Sequence, residues 1–274
     1  MKPIICITLG LLIFVPNTMA AAGITDLLDA AIQGEHRDEA NKTRDIYRHP
    51  RETLLFFGLQ PDMHVLEITP GGGWYTEILA PVLKDKGQLT VASFGLDNPV
   101  AYFANIEQKF ITRLEASPEI YAEVERVNFK DNDYLSAVAD DSVDMVVTFR
   151  NTHNWLRQGE ADKVYSAMQR VLKPCGTLGV VQHRAAEDDS ITIENGYVPE
   201  SVVIALVENN GFKLTDTSDI NANPKDSRDH PEGVWTLPPN LRMGDQDREK
   251  YLAIGESDRM TLRFIKPGDG CPVR

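Results

Sequence analysis

The chain has 274 residues, of which 41 are acidic and 28 are lysine or arginine, so its formal net charge is −13 at pH 7. A chain this acidic, without a basic stripe, is not expected to bind nucleic acid or an anionic membrane surface. About 250 residues remain after the N-terminal segment described next, and that length fits one α/β domain with a sizeable core, with two small domains as the alternative.

The first 22 residues have the pattern of a secretory signal peptide. Lys2 precedes an apolar stretch at positions 4–15, and small residues up to Ala22 follow at positions suited to cleavage. A membrane anchor is the alternative, but the apolar stretch is well short of the ~20 residues that span a bilayer. Cys6 lies inside that stretch, so the cleavage region holds no cysteine for lipid attachment. The sequence predicts a periplasmic or secreted protein without a membrane anchor once residues 1–22 are removed.

Residues 23–60 are expected to form a helical lead-in to the first strand. Ile24, Leu27, Leu28 and Ala31 recur at the spacing of one helix face. No low-complexity linker follows the lead-in, so we treat 23–274 as one domain.

The segment from His64 to Glu77 has the pattern of a strand, a glycine turn and a helix. Apolar strand formers end at Ile68, three glycines at 71–73 break the run, and apolar residues then resume with helical spacing. Glycine permits positive φ and lets a ligand approach the backbone, while the first turn of the helix offers free N–H groups. Glu67, near the end of the strand, is placed to accept hydrogen bonds from a polar ligand. The alternative is an ordinary tight connection between a strand and a helix.

Further strands and helices alternate along the rest of the chain. Strands are predicted at 88–92, 124–129, 142–149, 177–181, 213–217 and 260–265, and helices from Asn98, over 161–172 and over 199–207. Asn98 is expected to cap its helix, with Pro99 at the first helical position. The fourth strand, at 142–149, is apolar on both faces, which is typical of a central parallel strand covered on both sides.

Polar side chains directly follow two of these strands. Arg150, His153 and Asn154 come after the fourth strand, and His183 and Arg184 lie at the end of the fifth. Because ligands bind at the carboxyl ends of strands in open parallel sheets, both clusters are expected at one rim of the sheet. We interpret the first cluster as catalytic; the alternative is that Asn154 only caps a helix.

These features together resemble the class I S-adenosylmethionine-dependent methyltransferases. The first motif of that family is an acid followed by a small residue and two spaced glycines, and the corresponding residues here are Glu67, Thr69, Gly71 and Gly73. Thr69 replaces the usual first glycine. Four further segments are similar to a family of exported bacterial methyltransferases, and the resemblance covers nearly the whole mature chain: FRNTHNW, VLKPCGTLGVVQHRA, NANPKDSRDHPEGVWTLPP and AIGESDRMTLRF.

The resemblance implies an α/β doubly wound, Rossmann-like sheet that is mostly parallel, with its last strand antiparallel. It also implies S-adenosylmethionine as cofactor. The cofactor-binding residues that it implies lie at the first motif and after the second and third strands: Glu67, Thr69, Gly71, Gly73, Ser93 and Asp131. Ser93 stands where the family usually carries the acid that binds both ribose hydroxyls. Asp131 stands where the fold often contacts the adenine amino group, with a polar turn residue as the alternative.

On the substrate side, the resemblance implies a lid and a covering loop. The segment before the first strand often folds over the cofactor pocket in this family, so Tyr47, Arg48 and His49 are lid candidates; a solvated helix face is the alternative. Residues 219–258 are expected to form a long loop over the substrate side of the sheet. Together with the end of the fifth strand, this loop supplies the remaining substrate candidates: His183, Arg184, His230 and Trp235.

The expected activity is methyl transfer to an unidentified small-molecule acceptor in an extracytoplasmic compartment, with His153 as the base that takes the acceptor's proton. An exported ligand-binding protein that kept the fold without catalysis is the alternative, because S-adenosylmethionine is a cytosolic metabolite and Ser93 replaces the ribose acid. A different, metal-assisted reaction in the same cleft is a third reading. No metal is predicted, since the six histidines lack the i, i+4 spacing or the cysteine pairs of a metal site. The sequence does not indicate an oligomeric state.

A disulfide bond is expected between Cys175 and Cys271, the two cysteines that remain after signal removal. In the methyltransferase sheet the seventh strand lies antiparallel beside the fifth, so the end of one adjoins the start of the other. Cys175 precedes the fifth strand and Cys271 follows the seventh, which brings both to the rim opposite the cofactor cleft. An oxidising compartment favours the bond. Two unpaired thiols are the alternative.

Overall fold

The computed structural model describes residues 23–187 and 193–271. The signal peptide expected at residues 1–22 lies outside these ranges. None of the helices within them is long and apolar enough to cross a membrane.

A seven-stranded sheet forms the centre of the fold. Its strands are β1 (His64–Ile68), β2 (Gln88–Ser93), β3 (Glu125–Asn128), β4 (Val143–Phe149), β5 (Leu172–His183), β6 (Lys213–Ser218) and β7 (Arg259–Ile265). Their spatial order is β3-β2-β1-β4-β5-β7-β6. The pairs from β3 through to β5 are parallel, and β7 is antiparallel to both of its neighbours. This arrangement confirms the predicted doubly wound α/β sheet with its last strand reversed.

Helices cover both faces of the sheet, and four of them form the predicted lead-in. The lead-in contains α1 (Ile24–Gln33), α2 (Glu39–Lys42), α3 (Asp45–Arg48) and α4 (Pro50–Phe57). The remaining helices are α5 (Thr76–Leu83), α6 (Ala101–Ala116), α7 (Pro118–Tyr121), α8 (Thr152–Arg157), α9 (Ala161–Val171), α10 (Glu200–Asn209) and α11 (Arg248–Ile254).

Strand β4 contributes to the hydrophobic core on both faces. Val146 packs with buried residues of α9 and α10, whereas Val147 packs with those of α1, α4 and α5. Such double coverage explains why this stretch is apolar without alternation, and it confirms β4 as a central parallel strand.

Two predicted elements begin at least two residues away from the expected position. Helix α6 begins at Ala101, because the Asn98 side chain accepts a 3.0 Å hydrogen bond from the Val100 N–H and forms a turn before the helix starts. Strand β5 begins at Leu172, five positions before the predicted 177, because Leu172 pairs with Val143 ahead of an irregularity in the ladder.

The segment 219–258 connects β6 to β7 and has structure of its own. It contains a 3₁₀ turn at Gly233–Thr236 and the helix α11. The expected loop is therefore a folded insertion that contains short helices.

The predicted disulfide between Cys175 and Cys271 is present, with the two Cα atoms 5.2 Å apart. The antiparallel pairing of β5 with β7 brings the two cysteines together, since the Cys175 N–H donates to the Lys266 carbonyl at 2.9 Å. Cys175 lies at the amino end of β5, so the bond closes the rim of the sheet opposite the carboxyl ends of the parallel strands.

Candidate active site

Two adjoining cavities open at the carboxyl ends of the parallel strands. The larger has a volume of about 590 Å³ and the smaller of about 460 Å³. Five residues line both cavities and mark where they meet: Thr69, Phe94, Phe103, Asn151 and Asn154. Thr69 follows β1, Phe94 follows β2 and Asn151 follows β4. This is the rim at which ligands bind in open parallel sheets.

The turn after β1 holds its backbone in the left-handed region at three positions. The angle φ is 44° at Thr69, 61° at Gly71 and 82° at Gly73. A β-branched residue is rarely found at positive φ, so the backbone at Thr69 is strained. The Thr69 hydroxyl is also buried without a hydrogen-bond partner among the described residues. Strain and an unpaired hydroxyl at the junction of two cavities are typical of a ligand site.

The glycines of this turn have different structural roles. A Cβ at Gly71 or Gly72 would meet no atom within 4 Å, so the backbone there borders the open space of the larger cavity. A Cβ at Gly73 would lie 2.8 Å from the ring of Phe110, so packing as well as φ requires glycine at that position. The backbone at Gly71 and Gly72 is accordingly open to the close approach of a ligand.

Glu67 lies beneath the turn and lines neither cavity. Its buried carboxylate accepts a 2.6 Å hydrogen bond from the Thr76 hydroxyl at the start of α5. Burial raises the pKa of Glu67 to about 7, and the bond from Thr76 offsets only part of that effect. The side chain joins the end of β1 to α5 and so holds the glycine turn between them.

A carboxylate lines the smaller cavity beyond β2, but not at the position that the family resemblance indicates. Ser93 is buried, and its hydroxyl donates a 2.7 Å hydrogen bond to Glu107 of α6, away from both cavities. Asp97, further along the same loop, lines the smaller cavity together with Asp131. Sequence reasoning missed Asp97 because it placed the acid directly after the strand, whereas a turn at Gly95, with φ of 77°, lengthens the loop.

His153 lies in α8 and is buried in the wall of the larger cavity. Its Nδ1 is 3.2 Å from Nε2 of Gln182, whose amide also donates to the Gly196 carbonyl at 3.0 Å. The bond to Gly196 orients the amide so that its NH₂ group donates to Nδ1, which assigns the ring proton to Nε2. Burial lowers the pKa of His153 to about 4, so the imidazole is neutral at pH 7. Nε2 can accept a proton only in the other tautomer, in which Nδ1–H donates to Gln182 Oε1 at 3.4 Å.

Two more of the predicted substrate residues lie beside His153 in the same wall. The ring centroid of His183 is 5.5 Å from that of His153, and the ring centroid of Trp235 is 5.8 Å from it. Nδ1 of His183 is 2.5 Å from the Ser257 hydroxyl. Burial, and then the neighbouring His153 and Arg150, lower the pKa of His183 well below its usual value. The structure thus brings together three residues from distant parts of the chain.

Three arginines bind one buried carboxylate, Glu256, next to the larger cavity. Arg44 Nε is 2.6 Å from one carboxylate oxygen, Arg48 Nε is 3.1 Å from the other, and Arg259 binds that second oxygen as well. Burial by itself would raise the pKa of Glu256, but the positive charges of Arg259, Arg48 and Arg44 outweigh burial and hold the pKa far below its usual range. Burial also lowers the pKa of Arg48 to about 10.

Arg150 adds a fourth positive charge to this group. It has a φ of 65° at the end of β4, and its side chain makes no ion pair or hydrogen bond with any residue that the structure describes. Burial, and then the charges of Arg48 and Arg259, lower the pKa of Arg150 well below its usual value. Like charges repel more strongly in a buried site than in water. An unpaired guanidinium beside three others is therefore costly unless a ligand shares the site.

Of the three lid candidates, Arg48 lines the larger cavity, whereas Tyr47 and His49 do not. The Tyr47 ring packs beside Gly255, and its carbonyl accepts a 3.2 Å hydrogen bond from Arg259. His49 has a φ of 39° where α3 ends and α4 begins. Tyr47 therefore contacts the cavity wall through Arg259, and His49 lies at the junction of two helices.

Arg184 and His230 lie outside both cavities. Arg184 forms ion pairs with Asp219 at 2.7 Å and with Asp258 at 3.1 Å, so it joins the first and last residues of the segment 219–258. His230 Nε2 is 2.8 Å from Oδ1 of Asp226 within the same segment. These contacts stabilise the segment that carries Trp235.

Sequence reasoning alone does not find Arg44, Glu256 or Arg259. The signal for two of them is the charged tetrapeptide from Glu256 to Arg259, which directly precedes the apolar part of β7. Charged residues at a strand end are common on protein surfaces, and the pattern does not reveal that these are buried. Within the described ranges, no three His, Cys, Asp or Glu side chains are grouped so as to hold a metal ion.

No protein-family model matches the chain, and no curated protein matches it. Solved structures do match. A SAM-dependent methyltransferase from Aquifex aeolicus is similar with 16% identity and a TM-score of 0.56, over 82% of this chain and 93% of that chain. The [4+2]-cyclase SpnF matches with 18% identity and a TM-score of 0.55, over 89% and 92% of the two chains. The glycopeptide N-methyltransferase MtfA matches with 13% identity and a TM-score of 0.51, over 84% and 100%.

At these identities the likeness shows the fold alone. That fold is the Rossmann-like fold of the class I methyltransferases, in agreement with the strand order of the sheet.

Proposed function

We propose that this protein transfers the methyl group of S-adenosylmethionine to a small-molecule acceptor. The observation that carries the proposal is the pair of cavities that meet at the strained turn after β1, on a sheet with the methyltransferase strand order. The Aquifex aeolicus protein and MtfA, which share this fold, are methyltransferases. One fold hosts many functions, so the proposal rests on the site and not on the fold alone.

The residues at the junction of the cavities fit S-adenosylmethionine. In the smaller cavity, Phe94 and Phe103 stack at a centroid distance of 4.5 Å and offer an aromatic surface for the adenine ring. Asp97 lines that cavity and supplies a carboxylate for the ribose hydroxyls. The unpaired Thr69 hydroxyl and the open backbone at Gly71 suit the polar methionine portion.

Methyl transfer requires that the two reactants be held in position and that a nearby group accept a proton. S-adenosylmethionine would supply an electrophilic methyl group, and its sulfonium becomes a neutral thioether when the methyl leaves. A nucleophilic acceptor atom that carries a proton must then release it, and we assign that proton to Nε2 of His153. The role requires the tautomer in which Nδ1–H donates to Oε1 of Gln182, because that tautomer leaves Nε2 free to accept a proton. The walls of the two cavities hold the reactants next to each other.

The proposed place of action is outside the cytoplasm. Support comes from the apolar stretch at 4–15 with small residues after it, and from the Cys175–Cys271 disulfide, since such bonds persist in oxidising compartments. N-terminal sequencing of the exported protein should begin after Ala20 or Ala22.

A ligand-binding protein that kept the fold without catalysis is the second candidate. The observation that favours it is the pKa of His153, about 4, because the ideal pKa of a catalytic base lies near the working pH. SpnF, a [4+2]-cyclase, has this fold as well, so the fold is not confined to methyl transfer.

Calorimetric titration with S-adenosylmethionine and with its demethylated product tests the proposal. The wild-type protein should bind both. Gly71→Val should abolish binding, because the new side chain would fill the space that the backbone leaves open. Gly58→Val is the matched control, since Gly58 also has positive φ and open space around its Cβ position but lines neither cavity.

Equal affinity in the two glycine variants would remove the turn from the site. No heat from the wild-type protein at about 1 mM ligand, a concentration that detects even weak sites, would contradict methyl transfer and favour the binding protein.

A further inference from the structure

Arginine side chains outnumber carboxylates along the larger cavity. Seven arginines line it, against one carboxylate, that of the exposed Glu194, among the residues that the structure describes. The chain as a whole is acidic, with a net charge of −13, so this positive surface is local and opposes the overall charge. Such a local surface attracts anions into a cavity that the rest of the protein would repel.

Not all of these arginines are available to a ligand. Arg113 is neutralised by Glu77 and Asp38. Arg44, Arg48 and Arg259 share the single charge of Glu256, and Arg150 has no ion-pair partner within the described ranges. Arg157 and Arg242 are exposed to solvent, which screens their charges, so the excess positive charge is concentrated around Arg48, Arg150 and Arg259.

These arginines also have donors that no protein group satisfies. Nη2 of Arg48 and Nε of Arg259 are buried without a hydrogen-bond partner in the described part of the chain. Both side chains are almost fully buried, at 3% and 2% exposure, and both line the larger cavity. Buried donors almost always have a hydrogen-bond partner in folded proteins. Two donors without a partner at a cavity wall therefore indicate a ligand that accepts hydrogen bonds.

The cofactor of the proposed function does not balance this charge. S-adenosylmethionine carries a sulfonium, an ammonium and a carboxylate group, so its net charge is positive. Its binding nearby would increase the positive excess in the connected cavities. The compensating negative charge must come from the second reactant, and this step rests on the proposed function.

We propose that the methyl acceptor carries an oxyanion group with more than one negative charge, a phosphate or a pair of carboxylates, which Arg48, Arg150 and Arg259 bind in the larger cavity. The guanidinium group suits both ligands because its planar fork of N–H donors pairs with two oxygens at once. His153 lines the same cavity, so an acceptor held by its anionic group would lie within the chamber that contains the proposed base.

Thermal unfolding and calorimetry with inorganic phosphate and with malonate test this proposal on the full mature protein at low salt. At least one of the two anions should raise the melting temperature and bind with measurable heat at about 10 mM, ten times the Kd of a millimolar site. Binding should weaken as sodium chloride is added. Binding of phosphate alone or of malonate alone tells which oxyanion the site prefers.

Arg150→Gln is the diagnostic variant because it leaves none of the described side chains without its ion-pair partner. Without anion its melting temperature should rise above that of the wild type, since like-charge repulsion is relieved, and its affinity for the anion should fall about tenfold or more. Arg150→Lys keeps the positive charge but loses the planar set of N–H donors. Its affinity for the anion should therefore lie between those of the wild type and Arg150→Gln. Arg51→Gln removes a partly exposed arginine that pairs with Asp29 and lines neither cavity, and it should behave as wild type toward the anion.

The outcomes separate this proposal from the proposed function. Binding of S-adenosylmethionine without binding of either anion would overturn the anionic acceptor and leave methyl transfer standing. Anion binding without S-adenosylmethionine binding would support the arginine site and contradict methyl transfer. If both bind, each should tighten the other by the same factor, because their charges are opposite. Equal loss of anion affinity in Arg150→Gln and Arg51→Gln would place the anion elsewhere and overturn the proposal.

Discussion

Thr69 combines two features that folded proteins usually avoid. Its φ of 44° is unfavourable for a β-branched residue, and its buried hydroxyl has no partner among the described residues. The surrounding structure holds the residue in this state, since its N–H donates to the Ala92 carbonyl at 2.8 Å. Strain that persists at the junction of two cavities indicates a backbone shaped for a ligand and not for stability.

We predict that Thr69→Gly stabilises the ligand-free protein. Relief of the backbone strain should raise the free energy of unfolding by about 1–3 kcal/mol. The greater conformational freedom of glycine in the unfolded chain should lower it by about 0.5–1 kcal/mol. The net gain should be about 1 kcal/mol, measured by denaturant unfolding. Thr69→Ser keeps a side chain at positive φ and should gain much less. A lower stability of the glycine variant would show that the threonine side chain contributes packing that outweighs the strain.

His153 is the residue on which catalysis is expected to depend. His153→Ala should reduce turnover by about 10²–10⁴ and leave the affinity for S-adenosylmethionine unchanged. Because the pKa of His153 is about 4, wild-type turnover should not fall until the pH drops through that value, where the ring becomes protonated. Parallel turnover and binding measurements check this, and an equal loss of cofactor affinity would assign His153 a structural role.

At the scale of elements, β1 and α5 form the unit that presents the glycine turn. Glu67 joins them through its bond to Thr76, and burial raises the pKa of its carboxylate to about 7. In the unfolded chain the group has an ordinary pKa near 4.5. The folded state therefore prefers the protonated acid, which stabilises the protein fully below about pH 4.5, and this contribution is lost as the pH rises to about 7.

Glu67→Gln should remove this pH dependence, because the amide stays neutral at every pH. At about 1.4 kcal/mol for each pKa unit, the wild type should lose about 3 kcal/mol relative to the variant between pH 4.5 and 7.5. Denaturant unfolding of both proteins at these two pH values measures the difference. Contributions from other titrating groups, His153 included, cancel in the comparison. A difference between the two proteins that does not change with pH would mean that Glu67 is ionised throughout.

The elements differ in how far the sequence predicts them. The turn after β1 is predictable because its glycines and flanking apolar runs are local signals, and the family resemblance fixes the strand order. The arginine group is not predictable, since Arg44, Arg150 and Arg259 come from three distant segments and meet only in the folded chain. Asp97 was missed for a local reason, the extra turn at Gly95, and α11 because seven residues are too few to show a helical period.

At the scale of the whole molecule, the disulfide and the cavities lie at opposite rims of the sheet. Cys175 and Cys271 join the start of β5 to the end of the described chain, and the ligand sites follow the carboxyl ends of β1, β2 and β4. This separation assigns the bond a structural role and leaves the cavity rim free for ligands.

We predict that the disulfide stabilises the fold by up to about 4–5 kcal/mol, the value that chain entropy gives for a loop of roughly 100 residues. A reducing agent should lower the unfolding midpoint of the wild type, and the Cys175→Ser, Cys271→Ser double variant should be less stable and insensitive to the reductant. Protein denatured without reductant should take up no alkylating group at these cysteines. Uptake of two groups per chain would contradict the bond.

A crystal structure with the demethylated product of S-adenosylmethionine tests the central claim most directly. The adenine should lie in the smaller cavity against Phe94 and Phe103, with its ribose at Asp97. The sulfur should lie at the junction near Thr69 and Gly71, directed towards the larger cavity that contains His153 and the arginines. Product bound at another surface, or cavities that stay empty in crystals grown with the product at saturating concentration, would contradict the account.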